Sequence, residues 1–254
     1  SLNTPGAFNS LTAGSSDPSL MTATADSNAT PGTYAVTVSA LAQAQQLRSN
    51  VFAGGATAAV GTGTLSVSLG GTSFNVTIGS ADGDDTLAGI ASAINSAAGN
   101  PGVTAAVIQG SDGAYLLVSS TLTGAANTIS ISETDGGNGL AALTYGSGDT
   151  ANYTEETAAQ DASYTIAGVS GTSPTNTVSD AISGVTLDLV GTTDGTGVNL
   201  TVSNDTTTIQ ANIDSFVAAY NTLLGTFSSL GGYDASTQTA GTLMGNPLLT
   251  NIQS

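Results

Sequence analysis

Seven apolar residues near the carboxyl end of the 254-residue chain follow a heptad repeat. Alternating steps of four and three residues put them on one face of an α-helix, which we call the heptad seam. The rest of the chain is typical of β structure rich in Ser, Thr and Gly, so the pattern favours an assembly component over a catalyst. The seam residues are Ile209, Ile213, Phe216, Tyr220, Leu223, Phe227 and Leu230.

The seam allows two arrangements. Three heptads are near the minimum for a coiled coil, so the helix packs either in an intramolecular bundle or in a coiled coil with another chain. Of the two, the bundle is favoured. We therefore expect Ile213, Phe216, Tyr220 and Leu223 to be buried against the lead-in segment (residues 1–17) and a further helix at 248–253. Phe216→Ala would then unfold this part of the protein.

Almost all charged residues of the chain are acidic. There are 18 acidic residues and a single base, Arg48, with no Lys or His, so the formal net charge is −17. Neutralising phosphates requires Lys and Arg, which argues against a nucleic acid partner, and an anionic membrane would repel the chain. No apolar run of about 18 residues and no basic leader is seen, so we expect neither a membrane span nor a secretory signal. We interpret the chain as a fragment of a longer protein.

The chain lacks the residues on which most nucleophilic catalysis depends. Without His, Cys or Lys, the chain builds no Ser-His, Cys-His or Ser-Lys nucleophile and no disulfide. Paired carboxylates are the one remaining acid–base option, and nothing marks such a pair. We therefore expect no catalytic residue, no cofactor and no enzymatic activity.

The charged side chains have simple interpretations. The loop with Asp82, Asp84 and Asp85 offers calcium ligands, but the EF-hand spacing is not met. A helix is predicted from residue 86 to 97 directly after it, so a solvated loop with an Asp cap is favoured, and no metal site is expected. Glu155 and Glu156 are predicted to be solvated, and Arg48 to be a plain surface residue rather than an ion-pair partner at a domain junction.

Strand patterns suggest a discontinuous domain. Strands predicted at 20–26 and 33–41 have no nearby partner except the late alternating segments between 164 and 202. Between them lies a hairpin that turns at Gly70-Gly71, followed by the helix and two or three strands, with the helix on one face of a single sheet. The predicted fold class is α+β, mostly β. The predicted domains are 18–50 with 156–204, an inserted ββαβ-type domain at 51–155, and a partial helical domain at 1–17 and 205–254.

Three segments resemble the bacterial flagellar filament cap family, hook-associated protein 2. Residues 32–45 (GTYAVTVSALAQAQ) are similar to its Y-x-V-x-V-x-x-L-A-x-A-Q strand. Residues 176–189 (NTVSDAISGVTLDL) resemble its N-x-I-x-D-x-I-x-G-V-T-L-x-L motif, and residues 216–221 (FVAAYN) its F-V-x-x-Y-N motif. Residues 63–95 resemble a repeat that flagellins, hook proteins and caps share. The resemblance covers residues 22–254, and the family's usual Lys and Arg content is missing.

This resemblance implies a non-enzymatic, secreted protein at the extracellular tip of the flagellum. Members leave the cell through the flagellar export channel, form a homo-oligomeric ring, and hold flagellin while it folds and inserts. The β domains would be heads and the helical domain a leg. Implied partners are the protein itself, flagellin, an export chaperone and host mucin. The alternative is a surface adhesin or binding module for host glycans or proteins, which has no reason to carry the helix at 216–221 after the strand at 184–189.

Overall fold

The computed structural model describes residues 10–81, 83–135, 139–146, 148 and 150–247. Antiparallel strands make up most of this part of the chain, together with two α-helices. In chain order the elements are β1 (Leu11–Ser15), β2 (Met21–Ala25), β3 (Gly32–Ala40), β4 (Ala44–Ser49), β5 (Gly63–Leu69), β6 (Thr72–Ile78), α1 (Leu87–Ser96), β7 (Val103–Gln109), β8 (Ala114–Thr123), β9 (Ile129–Glu133), a 3₁₀ turn (Leu140–Leu143), β10 (Tyr153–Thr157), β11 (Ala162–Ile166), β12 (Val169–Ser173), β13 (Thr177–Ile182), β14 (Val185–Leu189), β15 (Val198–Asn204), α2 (Thr206–Gly231), β16 (Tyr233–Asp234) and β17 (Thr239–Ala240).

Early and late strands form one unit, which we call the outer unit (residues 10–43 and 160–204). A five-stranded sheet has the order β1-β15-β3-β11-β12, and a three-stranded sheet has the order β13-β14-β2. Alternate residues of both sheets face one core, where Met21, Val36, Leu187 and Leu200 are fully buried. The predicted pairing of early strands with late ones is confirmed, since β3 pairs with β15 and β2 with β14.

Residues 10–17 belong to this sheet. Strand β1 pairs with β15, from Leu11 opposite Asn204 to Ser15 opposite Leu200. The prediction that put the whole lead-in with the helical domain is therefore wrong for these residues: β1 is the edge strand of the sheet, and Leu11 and Ala13 pack half-buried against the outer core. Residues 1–9 lie outside the described part of the chain.

The middle of the chain forms the inserted unit (residues 44–157). Its helix α1 packs on two sheets, β6-β5-β9 and β10-β4-β8-β7, rather than on one sheet as predicted. The two sheets close a second core around Leu65, Leu116 and the buried helix residues Ile90 and Ile94. Helix α1 contacts β7 and β8 of one sheet and β6 of the other, so its buried residues belong to the core that the two sheets share.

Local turn chemistry is largely as predicted. Gly70 and Gly71 have φ angles of 57° and 87° and join β5 to β6, which confirms the hairpin. Helix α1 is confirmed, but its cap is Thr86, whose Oγ1 accepts from the Gly89 N–H at 3.1 Å, and not an Asp.

The chain crosses between the two units at Gln43 and Gln160. Their backbones exchange two hydrogen bonds, of 2.8 Å from Gln43 N and 3.1 Å from Gln160 N. Strand β4 then pairs with β8 and β10, so residues 44–49 join the inserted unit and not the outer one as predicted. Whether each unit is an independent folding domain stays a prediction.

Candidate interaction surface on helix α2

Helix α2 leaves the outer unit without a linker. Asp205 follows strand β15 directly, and its N–H donates to the carbonyl of Ser10 on the neighbouring edge at 2.8 Å. Its carboxylate caps the helix: Oδ1 accepts from Thr208 N at 3.0 Å and Oδ2 from Thr208 Oγ1 at 2.6 Å. The Thr208 hydroxyl bond is the main reason that the pKa of Asp205 lies below its usual value. The helix therefore has a well-defined start at the sheet.

The helix then runs for 26 residues, which is about 39 Å at 1.5 Å per residue. Gly225 in its interior lowers helix propensity by about 1 kcal/mol relative to Ala. At the far end Gly232 caps the helix through a bond from its N–H to Ser228 O. The short hairpin β16–β17 folds back beyond it, and Leu243 N donates to Leu230 O at 2.8 Å.

The seam residues lie along one side of this helix. Ile213, Phe216, Tyr220 and Leu223 are between 45% and 51% exposed, and the rings of Phe216 and Tyr220 stack with centroids 6.3 Å apart. The remaining three, Ile209, Phe227 and Leu230, are half-buried.

The apolar face is wider than the seam alone. Val217 and Leu224 are also exposed, and they continue from Ile213 and Tyr220 at steps of four. The sequence prediction missed both residues, although the same spacing rule would have found them. The result is a broad apolar stripe on a helix whose one charged residue is Asp214.

The predicted burial of the seam is wrong for the described part of the chain. No residue of α2 is buried; its start adjoins strand β15 and Ser10, and its far end adjoins the segment that carries the β16–β17 hairpin. The lead-in was expected to cover the seam, but β1 is occupied in the sheet. The other expected partner, the helix at 248–253, lies outside the described residues.

Such a face is suited to packing against other helices. Packing a second apolar surface against the exposed stripe removes apolar area from water. This burial is favourable by about 25 cal/mol for each Å² of apolar surface buried. Neither helix among the described residues is long and apolar enough to cross a membrane.

The described charged side chains form structural contacts. Asp82 lies outside the described residues, and within the described ranges no group of three or more His, Cys, Asp or Glu is placed to hold a metal ion. Arg48 is not a plain surface residue as predicted: its Nε donates to Glu156 Oε1 at 2.7 Å, and its guanidinium lies 5.1 Å from the Tyr115 ring centre. Glu155 likewise accepts from Gln45 Nε2 at 2.5 Å, so the two glutamates are not simply solvated.

These contacts are structural. Both members of the Arg48–Glu156 pair are more than a third exposed, where an ion pair contributes about 0–1 kcal/mol. They tie strand β10 to β4 at the border of the inserted unit. The apolar face of α2 is therefore the stronger candidate for function.

Three family descriptions match the chain. Residues 1–45 match "Flagellar hook-associated protein 2 N-terminus", and residues 159–254 match "Flagellar hook-associated protein 2 C-terminus". Residues 64–122, within the inserted unit, match "Flagellin hook IN motif".

Curated relatives carry the same description. The B-type flagellar hook-associated protein 2 of Pseudomonas aeruginosa is 35% identical over 236 residues, which is 87% of this chain and 49% of the relative. The flagellar hook-associated protein 2 of Escherichia coli K12 is 34% identical over 255 residues, which is 96% of this chain and 54% of the relative. The chain thus spans about half the length of the curated relatives it matches.

Solved structures agree over almost the whole chain. The D1-D2-D3 domains of the Escherichia coli flagellar cap protein match with a TM-score of 0.83 at 33% identity, covering 99% of this chain and 69% of that one. FliD (HAP2) of Pseudomonas aeruginosa matches with a TM-score of 0.71 at 34% identity, covering 81% and 93%. The predicted α+β, mostly β fold class and the resemblance in the motifs are confirmed.

Proposed function

Because the chain belongs to the flagellar hook-associated protein 2 family, which includes the flagellar cap proteins compared above, we propose that it is part of the structural cap at the distal tip of the bacterial flagellar filament. The observation that carries the proposal is the match to the Escherichia coli cap domains over 99% of the chain. In this role the protein is extracellular, forms a homo-oligomeric ring, promotes the folding and insertion of flagellin, and prevents loss of monomers.

The β units and helix α2 correspond to different parts of the cap. The two β units form the head of the cap, and α2 leads from the outer unit into the leg. The exposed apolar stripe of α2 packs within the leg against helices from the part of the protein that this chain does not span, rather than against a helix of another copy. In support, the chain spans about half of its curated relatives, and the stripe is long enough for three heptads.

The other partners follow from the family. Contact with flagellin and with further copies of the protein belongs to the cap role. An export chaperone and host mucin are carried over from the resemblance alone. The cap role is a structural one and needs no catalytic residue, which suits a chain without His, Cys or Lys. The comparisons give no support to the adhesin alternative.

The test is loss and restoration of the full-length gene in its own organism. Deleting it should give short filaments and flagellin monomers in the medium, measured by electron microscopy and immunoblotting, and the wild-type gene should restore both. If the deletion strain retains flagellin and grows normal filaments, the cap role is wrong.

A pair of helix variants tests the leg. Phe216→Asp puts a charge into the apolar stripe, and Ala218→Asp puts the same charge on the opposite side of the helix at 100° per residue. We expect Phe216→Asp to release flagellin into the medium while Ala218→Asp behaves as wild type. Equal behaviour of the two variants would contradict a packing role for the stripe.

A further inference from the structure

Two connections join the outer unit to the inserted unit, one at residues 41–43 after β3 and the other at residues 158–161 before β11. The two units have separate apolar cores. Units with separate cores commonly rotate about the residues that connect them, because few contacts oppose the motion. The hydrogen bonds around these connections therefore decide whether the inserted unit can change its orientation.

Every carbonyl of the first connection is hydrogen-bonded. The Leu41 carbonyl accepts from Gln160 Nε2 at 2.9 Å. The Asn176 side chain holds Ala42 from two sides: its Nδ2 donates to the Ala42 carbonyl at 3.1 Å, and its Oδ1 accepts from Ala42 N at 2.7 Å. Gln43 then exchanges its two backbone bonds with Gln160. A rotation about this connection would have to break these bonds, because a change in backbone dihedral angles redirects the N–H and carbonyl groups.

A turn of the inserted unit docks on the outer unit beside this connection. At the start of the turn, Thr123 Oγ1 donates to the Pro174 carbonyl at 2.7 Å. Two residues later, Ala125 N donates to Asp161 Oδ1 at 2.7 Å. Both bonds cross from one unit to the other, so the turn is attached to the outer unit at both of its ends.

The centre of this turn requires a glycine. Gly124 is buried and has a φ angle of 105°, which residues with a side chain rarely adopt. A Cβ atom at this position would lie 2.9 Å from both the Cβ and the carbonyl oxygen of Pro174. The Gly124 N–H donates to the Gln43 carbonyl at 3.1 Å. The missing side chain therefore lets the inserted unit contact the backbone of the outer unit directly.

We propose that a junction clamp locks the two β units into one rigid body, and that Gly124 sets the angle between them. The clamp consists of the turn at residues 123–125 and its acceptors Gln43, Asp161 and Pro174. Helix α2 follows β15 of the outer unit without a linker, so in the proposed cap the inserted unit follows every movement of the leg. Only this last consequence rests on the proposed function.

The first test is the distance between two spin labels, one on each unit. The chain has no cysteine, so Thr77→Cys on β6 and Thr201→Cys on β15 place labels only at these exposed positions. A second pair, Thr22→Cys with Thr201→Cys, lies within the outer unit and gives the width that the labels alone contribute. Double electron–electron resonance is measured with the labelled chain diluted in an excess of unlabelled chain, so that only distances within one chain are recorded. We expect equally narrow distributions for the two pairs. An inter-unit distribution at least about twice as broad as that of the control pair overturns the proposal.

Removing the two side-chain bonds should free the inserted unit. Thr123→Val with Asp161→Ala deletes one partner of each bond, and we expect the inter-unit distribution to broaden at least about twofold. Thr123→Val with Asp161→Asn keeps an Oδ1 acceptor for Ala125 N and should broaden it less. The matched control is Thr121→Val, which removes a similar bond to the Gly102 carbonyl within the inserted unit and should leave the width unchanged. Circular dichroism checks that the strands are retained in each variant. Equal widths in all of these variants overturn the role of the clamp.

Gly124→Ala tests the angle between the units. The added methyl group must displace Pro174, so we expect the mean distance between the labels on the two units to shift, while the distance within the outer unit stays the same. Gly99→Ala is the control for backbone strain alone, because Gly99 also has a positive φ, of 76°, but no atom lies within 4 Å of its Cβ position. An unchanged mean distance in Gly124→Ala, or an equal shift in Gly99→Ala, contradicts the assignment to Gly124.

The clamp and the cap role can fail separately, because the distances are measured on the purified chain. Retained flagellin in the deletion strain would count against the cap and leave the clamp standing. A broad inter-unit distribution would remove the clamp and leave the cap role standing.

Discussion

Apolar residues are buried in the β units but largely exposed on helix α2. In the β units, Leu47, Leu116 and Leu200 are completely buried by strands of the same chain. In α2, Phe216 and Tyr220 are half exposed although they obey a stricter pattern than most strands do. Both regions are amphipathic, but within the described residues only the strands of the β units have a second layer packed against their apolar face.

The difference shows that a periodic pattern specifies which side chains share an apolar face, but not which element packs against that face. An alternating strand is covered when another sheet of the same chain lies opposite it, as in the outer unit. A heptad helix is covered when a second helix lies alongside, and none of the described elements does so.

Excising the inserted unit is the largest change. Gln43 and Gln160 already face each other across two backbone hydrogen bonds, so replacing residues 44–159 by Asn-Gly closes the chain with a tight turn. Every buried residue of the outer core lies outside the excised segment. We expect the remainder to unfold cooperatively in denaturant, monitored by circular dichroism.

This outcome would establish the outer unit as a folding domain. A remainder without a cooperative transition would show that the two β units depend on each other, through bonds such as Thr123 Oγ1 to Pro174 O and Ala125 N to Asp161 Oδ1. The domain division predicted from the sequence would then be wrong.

Two single substitutions compare the energetic weight of a buried and a half-exposed apolar side chain. Leu200→Ala removes a fully buried side chain from the outer core and should cost about 2–5 kcal/mol of unfolding free energy. Phe216→Ala, at a half-exposed position, should cost less than about 1 kcal/mol in the same chain. Urea denaturation of both variants measures the difference.

Similar unfolding costs for the two variants would contradict the difference in burial between Leu200 and Phe216. A loss of several kcal/mol for Phe216→Ala would mean that the stripe is buried in solution, by another copy or by residues outside the described part. Repeating the measurement at ten times lower protein concentration separates these cases, because only association depends on concentration.

The smallest expected effect is acid fraying of α2. Hydrogen bonds from Thr208 hold the pKa of Asp205 below its usual value, and bonds from Ser236 and Thr237 lower the pKa of Asp234 to about 2. Because the folded pKa is depressed, the stabilisation is fully present above the unfolded value of about 3.9 and is lost as pH falls through the folded value. Helical signal at 222 nm should therefore fall below about pH 4.

Asp205→Asn is the matched control. Asn caps helices as well as Asp does but does not titrate. This variant should retain the wild-type signal at pH 7 and lose less of it in acid. An unchanged acid response would place the sensitive group elsewhere, for example at Asp135, whose pKa is lowered by hydrogen bonds from Thr134 and Thr64.

Several features could be predicted from local patterns. The Gly70-Gly71 hairpin, helix α1, helix α2 and the early and late strands each follow from periodicity and turn residues that act over a few positions. Strands β12 and β13 were missed because their alternation is short and polar, and their pairing comes from neighbouring strands.

The rest depended on long-range contacts. Strand β1 looked like a polar lead-in, and only its pairing with a strand almost 190 residues later makes it part of a sheet. The second sheet of the inserted unit and the Arg48–Glu156 pair arise in the same way, since each joins residues from distant parts of the chain. No local signal marks such partners.

The amphipathic elements, the acidic character of the chain, its lack of His, Cys and Lys, and the motifs that mark its family can all be recognised without coordinates. Those properties depend on which residues stand within a few positions of each other and on the total count of charges. Which faces are covered depends on the tertiary structure, which encloses the strands in two cores and leaves the stripe of α2 exposed. Burial depends on what lies opposite a surface, and in the two β units that opposite surface comes from a remote segment of the chain.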